Sequence, residues 1–228
     1  MFVECPITPN PRAAMRKVRQ LKPGKPSADF QWFDEILMLT QAAISVANTQ
    51  RWALSWDLPP GVASQGRGAA YEVTVVDQFH QLGQRYFANR NETAVWECPF
   101  PTGGVGRPPA VDVVLYNNDG TIKTRLEFGI FTPKKLKDDA EKLHKMAARF
   151  LKENPKARNF VVLWHEERRK LSDVRIQTQV TQFADAATKA IAAIPGMGIA
   201  LGLASGVDLF AAEKESHRVI YVAIFEVT

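Results

Sequence analysis

The sequence predicts a single α/β domain built on a mixed β-sheet core flanked by helices. Three observations predict it. Segments with helical periodicity alternate with extended ones in the order helix, antiparallel strands, helix, strand, helix, strand, which is the pattern of a sheet covered on both faces. Asn117-Asn118-Asp119-Gly120 is a hairpin signal, because Asp-Gly readily takes the positive φ values such a turn needs. Asn159 to Trp164 is a continuous apolar run, as expected of a strand buried on both faces. With 228 residues, the chain suffices for one well-buried core.

Taken in order, residues 1–27 are proline-rich and lack periodicity, and are expected to be a basic flexible arm preceding a domain over 28–228. Asp29 is placed to cap a helix from about Phe30 to Asn48, with Phe33, Ile36, Leu37, Thr40 and Ile44 at helical spacing. Trp52, Leu54 and Trp56 alternate as in a short extended piece before Pro59-Pro60-Gly61 breaks the chain. Arg67 to Asn89 is the clearest helix, with Tyr71, Val75, Val76, Phe79, Leu82 and Tyr86 on one stripe. Strands are expected at Thr93–Pro99, Ala110–Tyr116 and Thr121–Phe131. A helix follows over about Lys135–Glu153, its acids early and its bases late, as the helix dipole favours. The strand at Asn159–Trp164, a helix over about Val180–Ile194 and a strand over about Arg218–Val227 complete the domain. Gly196 to Gly206 is apolar and glycine-rich, and no element is assigned to it.

The composition, 46% apolar and 23% charged, is that of an ordinary globular protein. No apolar run of membrane-spanning length occurs: Ile191–Val207 is broken by Pro195 and four glycines. The N-terminus lacks the apolar core of a signal peptide, and there are only two cysteines, Cys5 and Cys98, so a reducing cytoplasm is the expectation. The net charge is +5. Residues 1–26 carry all of it, and residues 123–175 hold 15 basic against 8 acidic side chains. Such a distribution suits a polyanion such as nucleic acid; a solubilising tail and a solvated helix face are the plainer alternative.

The chemistry-bearing residues are three acids. Glu72 lies at the edge of the apolar stripe of its helix, Asp112 begins the second strand, and Glu127 lies inside the third, across the hairpin. Carboxylates brought this close repel and resist ionising together, so a divalent cation is their natural neutraliser, and oxygen-only ligands suit Mg²⁺ or Mn²⁺. The alternative is that strand acids cap turns or pair with arginine, Glu72 with Arg125.

In these residues the chain resembles the PD-(D/E)XK nuclease superfamily, whose pattern is a helical Glu, a strand Asp, then Glu-X-Lys on the next strand. The matching segments are Tyr71-Glu72, Val111-Asp112-Val113-Val114-Leu115 and Leu126-Glu127-Phe128-Gly129, followed by the helix beginning Lys137-Asp138-Asp139-Ala140-Glu141-Lys142-Leu143. The resemblance spans about residues 66–170. It implies a restriction-endonuclease-like fold, one or two Mg²⁺ or Mn²⁺ ions held by Glu72, Asp112 and Glu127, and metal-dependent hydrolysis of DNA phosphodiesters. Gly129 departs from the pattern, because it stands where the family has its lysine. Arg125, Lys134 and Lys135 are the nearby candidates to supply that cation. The alternative function is a catalytically inactive nuclease-like domain that acts as a DNA-binding or protein-interaction module, such as an immunity or assembly factor; a homodimer or protein partner is a further expectation.

Weaker features are set aside. His165-Glu166-Glu167 lacks the second histidine of a metalloprotease motif. His80 and His144 are expected to pack or face solvent. Gly103-Gly104-Val105-Gly106 has no Lys-Ser/Thr after it and reads as a loop near the site. Trp52, Trp56 and Trp96 are better assigned to packing than to base stacking.

Overall fold

The computed structural model describes residues 17–20, 29–56, 72–100, 108–150, 154–167, 173–209 and 218–228. Its elements are β1 (Lys17–Gln20), α1 (Asp29–Trp56), α2 (Glu72–Ala88), β2 (Thr93–Pro99), β3 (Ala110–Tyr116), β4 (Ile122–Ile130), α3 (Pro133–Arg149), β5 (Arg158–Glu167), α4 (Asp173–Ala192), β6 (Ile199–Leu209) and β7 (Arg218–Val227). The strands form one seven-stranded mixed sheet in the order β1-β6-β7-β5-β4-β3-β2. Pairing is antiparallel except between β4 and β5, which α3 joins by a crossover.

Both faces of the sheet are covered, and β5 shows why its sequence has no polar alternation. Phe160, Val162 and Trp164 point into the core beneath α1 and α2, with Phe33, Ile36, Val75 and Phe79. Val161 and Leu163 point the other way, into the core beneath α3 and α4, with Leu136, Leu143, Ile176 and Val180. A strand with period-two side chains and two buried faces has no position left for a polar residue. Arg90, just beyond α2, donates from Nη1 and Nη2 to the two Glu35 oxygens at 2.7 and 2.5 Å, which clamps α1 to the α2–β2 corner. The β3–β4 hairpin closes as expected: Asn117 N donates to Thr121 O at 2.8 Å, and Asp119 Oδ1 accepts from Thr121 N at 2.9 Å.

Several expectations are corrected. Lys17–Gln20, assigned to the arm, form β1, which pairs with β6 through Lys17↔Val207 to Gln20↔Ala204. An exposed strand edge offers unpaired N–H and C=O groups, and a short neighbouring segment satisfies them. Trp52–Trp56 is not extended but continues α1; alternation over five residues also fits one helical turn, and no breaker precedes Pro59. The unassigned segment 196–206 is largely β6. Its glycines answer to packing: a Cβ on Gly202 would overlap the Phe33 ring, and a Cβ on Gly206 would fall 2.6 Å from Val180 Cγ2. Two helices press on this strand from opposite sides, and only a residue without a side chain fits there. The loop Gly103–Gly106 and residues 67–71 of the second expected helix lie outside the described residues.

Candidate functional site

The site lies where β3 begins, β4 ends and α2 and α3 start. The antiparallel register pairs Val113 with Leu126, so one step further sets Asp112 opposite Glu127 on the same face. Asp112 Oδ2 accepts a hydrogen bond from the Phe128 backbone N–H at 2.8 Å. Burial raises the Asp112 carboxyl above its ordinary pKa; the Phe128 N–H and the ammoniums of Lys142 and Lys135 oppose the rise, and Glu72 adds to it. Glu127 is only 1% exposed. Burial, then the charge of Asp112, pushes its pKa well above the usual carboxylate range, against the pull of Lys142. The Lys142 Nζ stands 2.6 Å from Glu127 Oε1.

Glu72 opens α2, where a carboxylate suits the positive end of the helix. Its Oε1 accepts a hydrogen bond from Lys135 Nζ at 2.8 Å. The backbone N–H of Lys135 is itself held by the α3 cap, donating to Thr132 Oγ1 at 3.0 Å. The same ammonium lies 3.3 Å from Asp139 Oδ2, one turn along α3. Burial alone would lower the Lys135 pKa, but Glu72, Asp139 and Asp112 together raise it. Asp139 is buried, and burial raises its carboxyl to about 6 even beside Lys135.

Gly129 is explained by this arrangement. A Cβ there would overlap Lys135 Cε and lie 3.0 Å from Glu72 Oε2. The Lys135 side chain therefore runs over the bare backbone at the position where the motif lysine was expected. An ammonium is present in the site, but α3 delivers it instead of β4.

Lys135, Asp139 and Lys142 are spaced i, i+4, i+7, so they share the face of α3 turned toward the sheet. Sequence reading proposed Lys135 and missed Asp139 and Lys142. Their signal was a charged residue recurring on the same turns as the apolar stripe of Leu136, Ala140 and Leu143, in place of the solvent side. Four carboxylates facing two ammoniums leave an excess of negative charge when all are ionised. Among the described residues, no three acidic, histidine or cysteine side chains converge closely enough to form a metal cage; the Glu72 carboxylate is turned to Lys135.

The structure does not bring Arg125 into this cluster. It lies on β4 two residues before Glu127 and is 1% exposed, but Nη1 donates to Asn159 Oδ1 at 3.0 Å and the guanidinium sits 5.8 Å from the Phe100 ring. Burial lowers its pKa, and its charged-state neighbours are Tyr116 and Cys98, with no carboxylate among them. Nor does it pair with Glu72. Lys134 is exposed. His80 contacts the Ala94 carbonyl at 3.1 Å, His144 the Thr228 carbonyl at 3.3 Å, and His165 stacks on Tyr221; none of the three joins the acids. Cys98 is a free, buried thiol. No helix among the described residues is long and apolar enough to cross a membrane. No protein-family model, curated protein or solved structure matches this chain.

Proposed function

We propose that the chain is a metal-dependent phosphodiester hydrolase of the PD-(D/E)XK type, acting on DNA, in which Lys135 replaces the motif lysine. The observation that carries this reading is the passage of Lys135 over Gly129 to Glu72, which restores a cation beside the paired strand acids. The order of the surrounding elements supports it: a helix bearing Glu72, an antiparallel meander bearing Asp112 and Glu127, then a crossover helix to a parallel strand.

The donors fit a hard divalent cation in kind. Asp112 and Glu127 offer carboxylate oxygens on adjacent strands, and burial together with the charge of Asp112 disfavours ionisation of Glu127 unless a cation is near. Mg²⁺ is commonly held by one or two carboxylates, with waters and substrate phosphate oxygens completing its shell, so Glu72 is not needed as a third ligand. Mg²⁺ or Mn²⁺ bound there would supply charge stabilisation at the phosphate and an acidified water. Asp112 is oriented for this by the Phe128 N–H. Lys135, held by Glu72 and Asp139, keeps its proton and presents a fixed positive charge to the developing phosphorane. Lys142 serves as the counter-ion of Glu127 when no metal is bound.

One observation favours a second reading. The pairs Lys142–Glu127 and Lys135–Glu72 already compensate two of the acids without a metal, as a catalytically silent nuclease-like binding module would require. Incubation with plasmid, linear and single-stranded DNA in Mn²⁺ separates the two. Cleavage by the wild type that is lost in Asp112→Ala and Glu127→Ala supports the hydrolase; no cleavage, or equal cleavage by all three, rejects it. Calorimetry gives an independent reading. Mn²⁺ is expected to raise the Tm of the wild type and not of Asp112→Asn, since a ligand bound only by the folded state stabilises it.

A further inference from the structure

Beside the acid cluster, between α3 and the ends of β2 and β3, lies a cavity of about 550 Å³. Its apolar part is formed by Phe100, Met146 and Phe150, with the two rings 5.4 Å apart and inclined at 52°. Its rim carries Lys142, Lys145 and Arg149. Lys142 belongs to both places, since its ammonium also contacts Glu127. The other two cations are weakly engaged. Lys145 is 77% exposed and 3.7 Å from Glu141, a carboxylate shared with Lys137 at 3.8 Å. Arg149 is exposed, its guanidinium 5.7 Å from the Phe150 ring, and among the described residues it has no acidic partner.

We propose that this cavity binds one unpaired nucleobase of a single-stranded nucleic acid, with the adjoining phosphates held by Lys145 and Arg149. The proposal rests on the hydrolase reading and names the form of its substrate. The half-buried Phe150 ring, backed by the buried Phe100, provides a sequence-tolerant stacking surface for a base, and lysine or arginine at the rim provides the backbone contacts that accompany it. A base paired in a duplex cannot enter such a slot without leaving its stack, so a single strand, or a locally opened duplex, is the species that fits. Glu141 and Asp138 also line the cavity. They are acceptors for the amino and imino hydrogens of a base. Lys142, Lys145 and Arg149 are spaced i, i+3, i+7 on α3, spanning roughly 10 Å of helix axis. That row leads from the acid cluster past the mouth of the cavity, as a backbone track must if the strand cut at Asp112 and Glu127 is the one whose base is held.

The test uses the full chain in EDTA, where binding is read without turnover. The probe is a short single-stranded oligodeoxynucleotide carrying 5-iododeoxyuridine, and a matching strand in which that nucleotide is abasic. Irradiation is expected to yield a crosslink on Phe100 or Phe150, and the abasic strand is expected to bind about tenfold more weakly or worse by fluorescence anisotropy. Phe150→Ala is expected to abolish the preference for the intact strand. Arg149→Glu, at an exposed position that leaves the core intact, is expected to weaken both strands alike. Crosslinks mapping elsewhere, or equal affinity for intact and abasic strands at every position tried, overturn the proposal. This holds even if Mn²⁺-dependent cleavage is observed, in which case the hydrolase stands without the base site. Conversely, a crosslink in the cavity from a protein that never cleaves leaves the base site standing and removes the hydrolase.

Discussion

Gly129 and Lys135 form one packing unit although five residues separate them. Glycine at 129 is what allows the lysine to lie across the strand, because the atom a larger residue would displace is the flexible Cε of Lys135. Gly129→Ala is therefore expected to fold with little loss of Tm and to lose DNA cleavage to the same extent as Lys135→Gln. Removal of one transition-state charge partner lowers the rate by roughly 10²–10³. The double variant Gly129→Lys with Lys135→Ala places an ammonium from the strand into the vacated space and is expected to recover part of the activity. Cleavage rates of the four proteins check this; an active Lys135→Gln would remove Lys135 from the mechanism.

Asp139 sets a pH dependence with a definite sign. Its carboxyl titrates at about 6 in the fold against 3.8 when free. Between these values the folded chain holds a proton that the unfolded chain has released, so stability is lost as pH rises through the window. The loss is on the order of 3 kcal/mol for a shift of about two units. Asp139→Asn removes the titration. Its stability relative to wild type is expected to rise from about pH 4 to about pH 6 and then level off, as followed by urea unfolding. A constant difference across that range would assign Asp139 no such proton.

At the scale of elements, α3 and β6 are opposite cases. α3 carries two kinds of residue on its inner side: Leu136, Ala140, Leu143 and Met146 pack on the sheet, while Lys142 pairs with Glu127 of β4 and Lys135 with Asp139 and with Glu72 of α2. The Thr132 cap fixes where that helix starts and thereby which of its lysines comes over Gly129. β6 is the opposite case, a strand shaped by the elements pressed against it. The Phe33 ring lies against Gly202 and makes an edge contact with Phe160, 5.5 Å between centroids. Gly202→Ala forces that buried ring to move, and overpacking of this kind costs about 1–3 kcal/mol. A Tm lowered by several degrees is expected. An unchanged Tm would mean that α1 and β6 are less closely packed than the geometry indicates.

For the whole molecule, the excess positive charge is concentrated at the N-terminal end, where Lys17 and Arg19 belong to β1. Residues 1–26 carry a net +5, and the remaining residues balance. Deleting residues 1–16, which leaves β1 in place, removes Arg12 and Arg16 from any contact with phosphates. The salt dependence of DNA binding is then expected to become shallower, in proportion to the number of phosphates those arginines neutralise. An unchanged slope would assign the electrostatics to the bases that remain, Lys17, Arg19, Lys22 and Lys25 and those of residues 123–175, where α3 presents its row of cations.

Much of the architecture was legible in the sequence, for local reasons. The apolar run of β5, the Asn-Asp-Gly hairpin and the stripe of α2 each encode their own geometry within a few residues, but the register that sets Asp112 opposite Glu127 also needs the irregularity between Leu115 and Tyr116, which the turn does not announce. The strand β6 was hidden because its glycines answer to Phe33 and Val180, far away in the chain, and β1 was hidden because an edge strand needs only a neighbour with free backbone groups. The counter-ions of the acids were decided by tertiary structure alone. Arg125 is near Glu127 in sequence and on the same strand face, yet burial beside Phe100 and a bond to Asn159 hold it elsewhere. Lys135 and Lys142 reach the acids because a helix packed on the sheet points every third or fourth side chain back at it. Sequence spacing determines which residues share a face; only the packing of one element on another determines which charges on those faces meet.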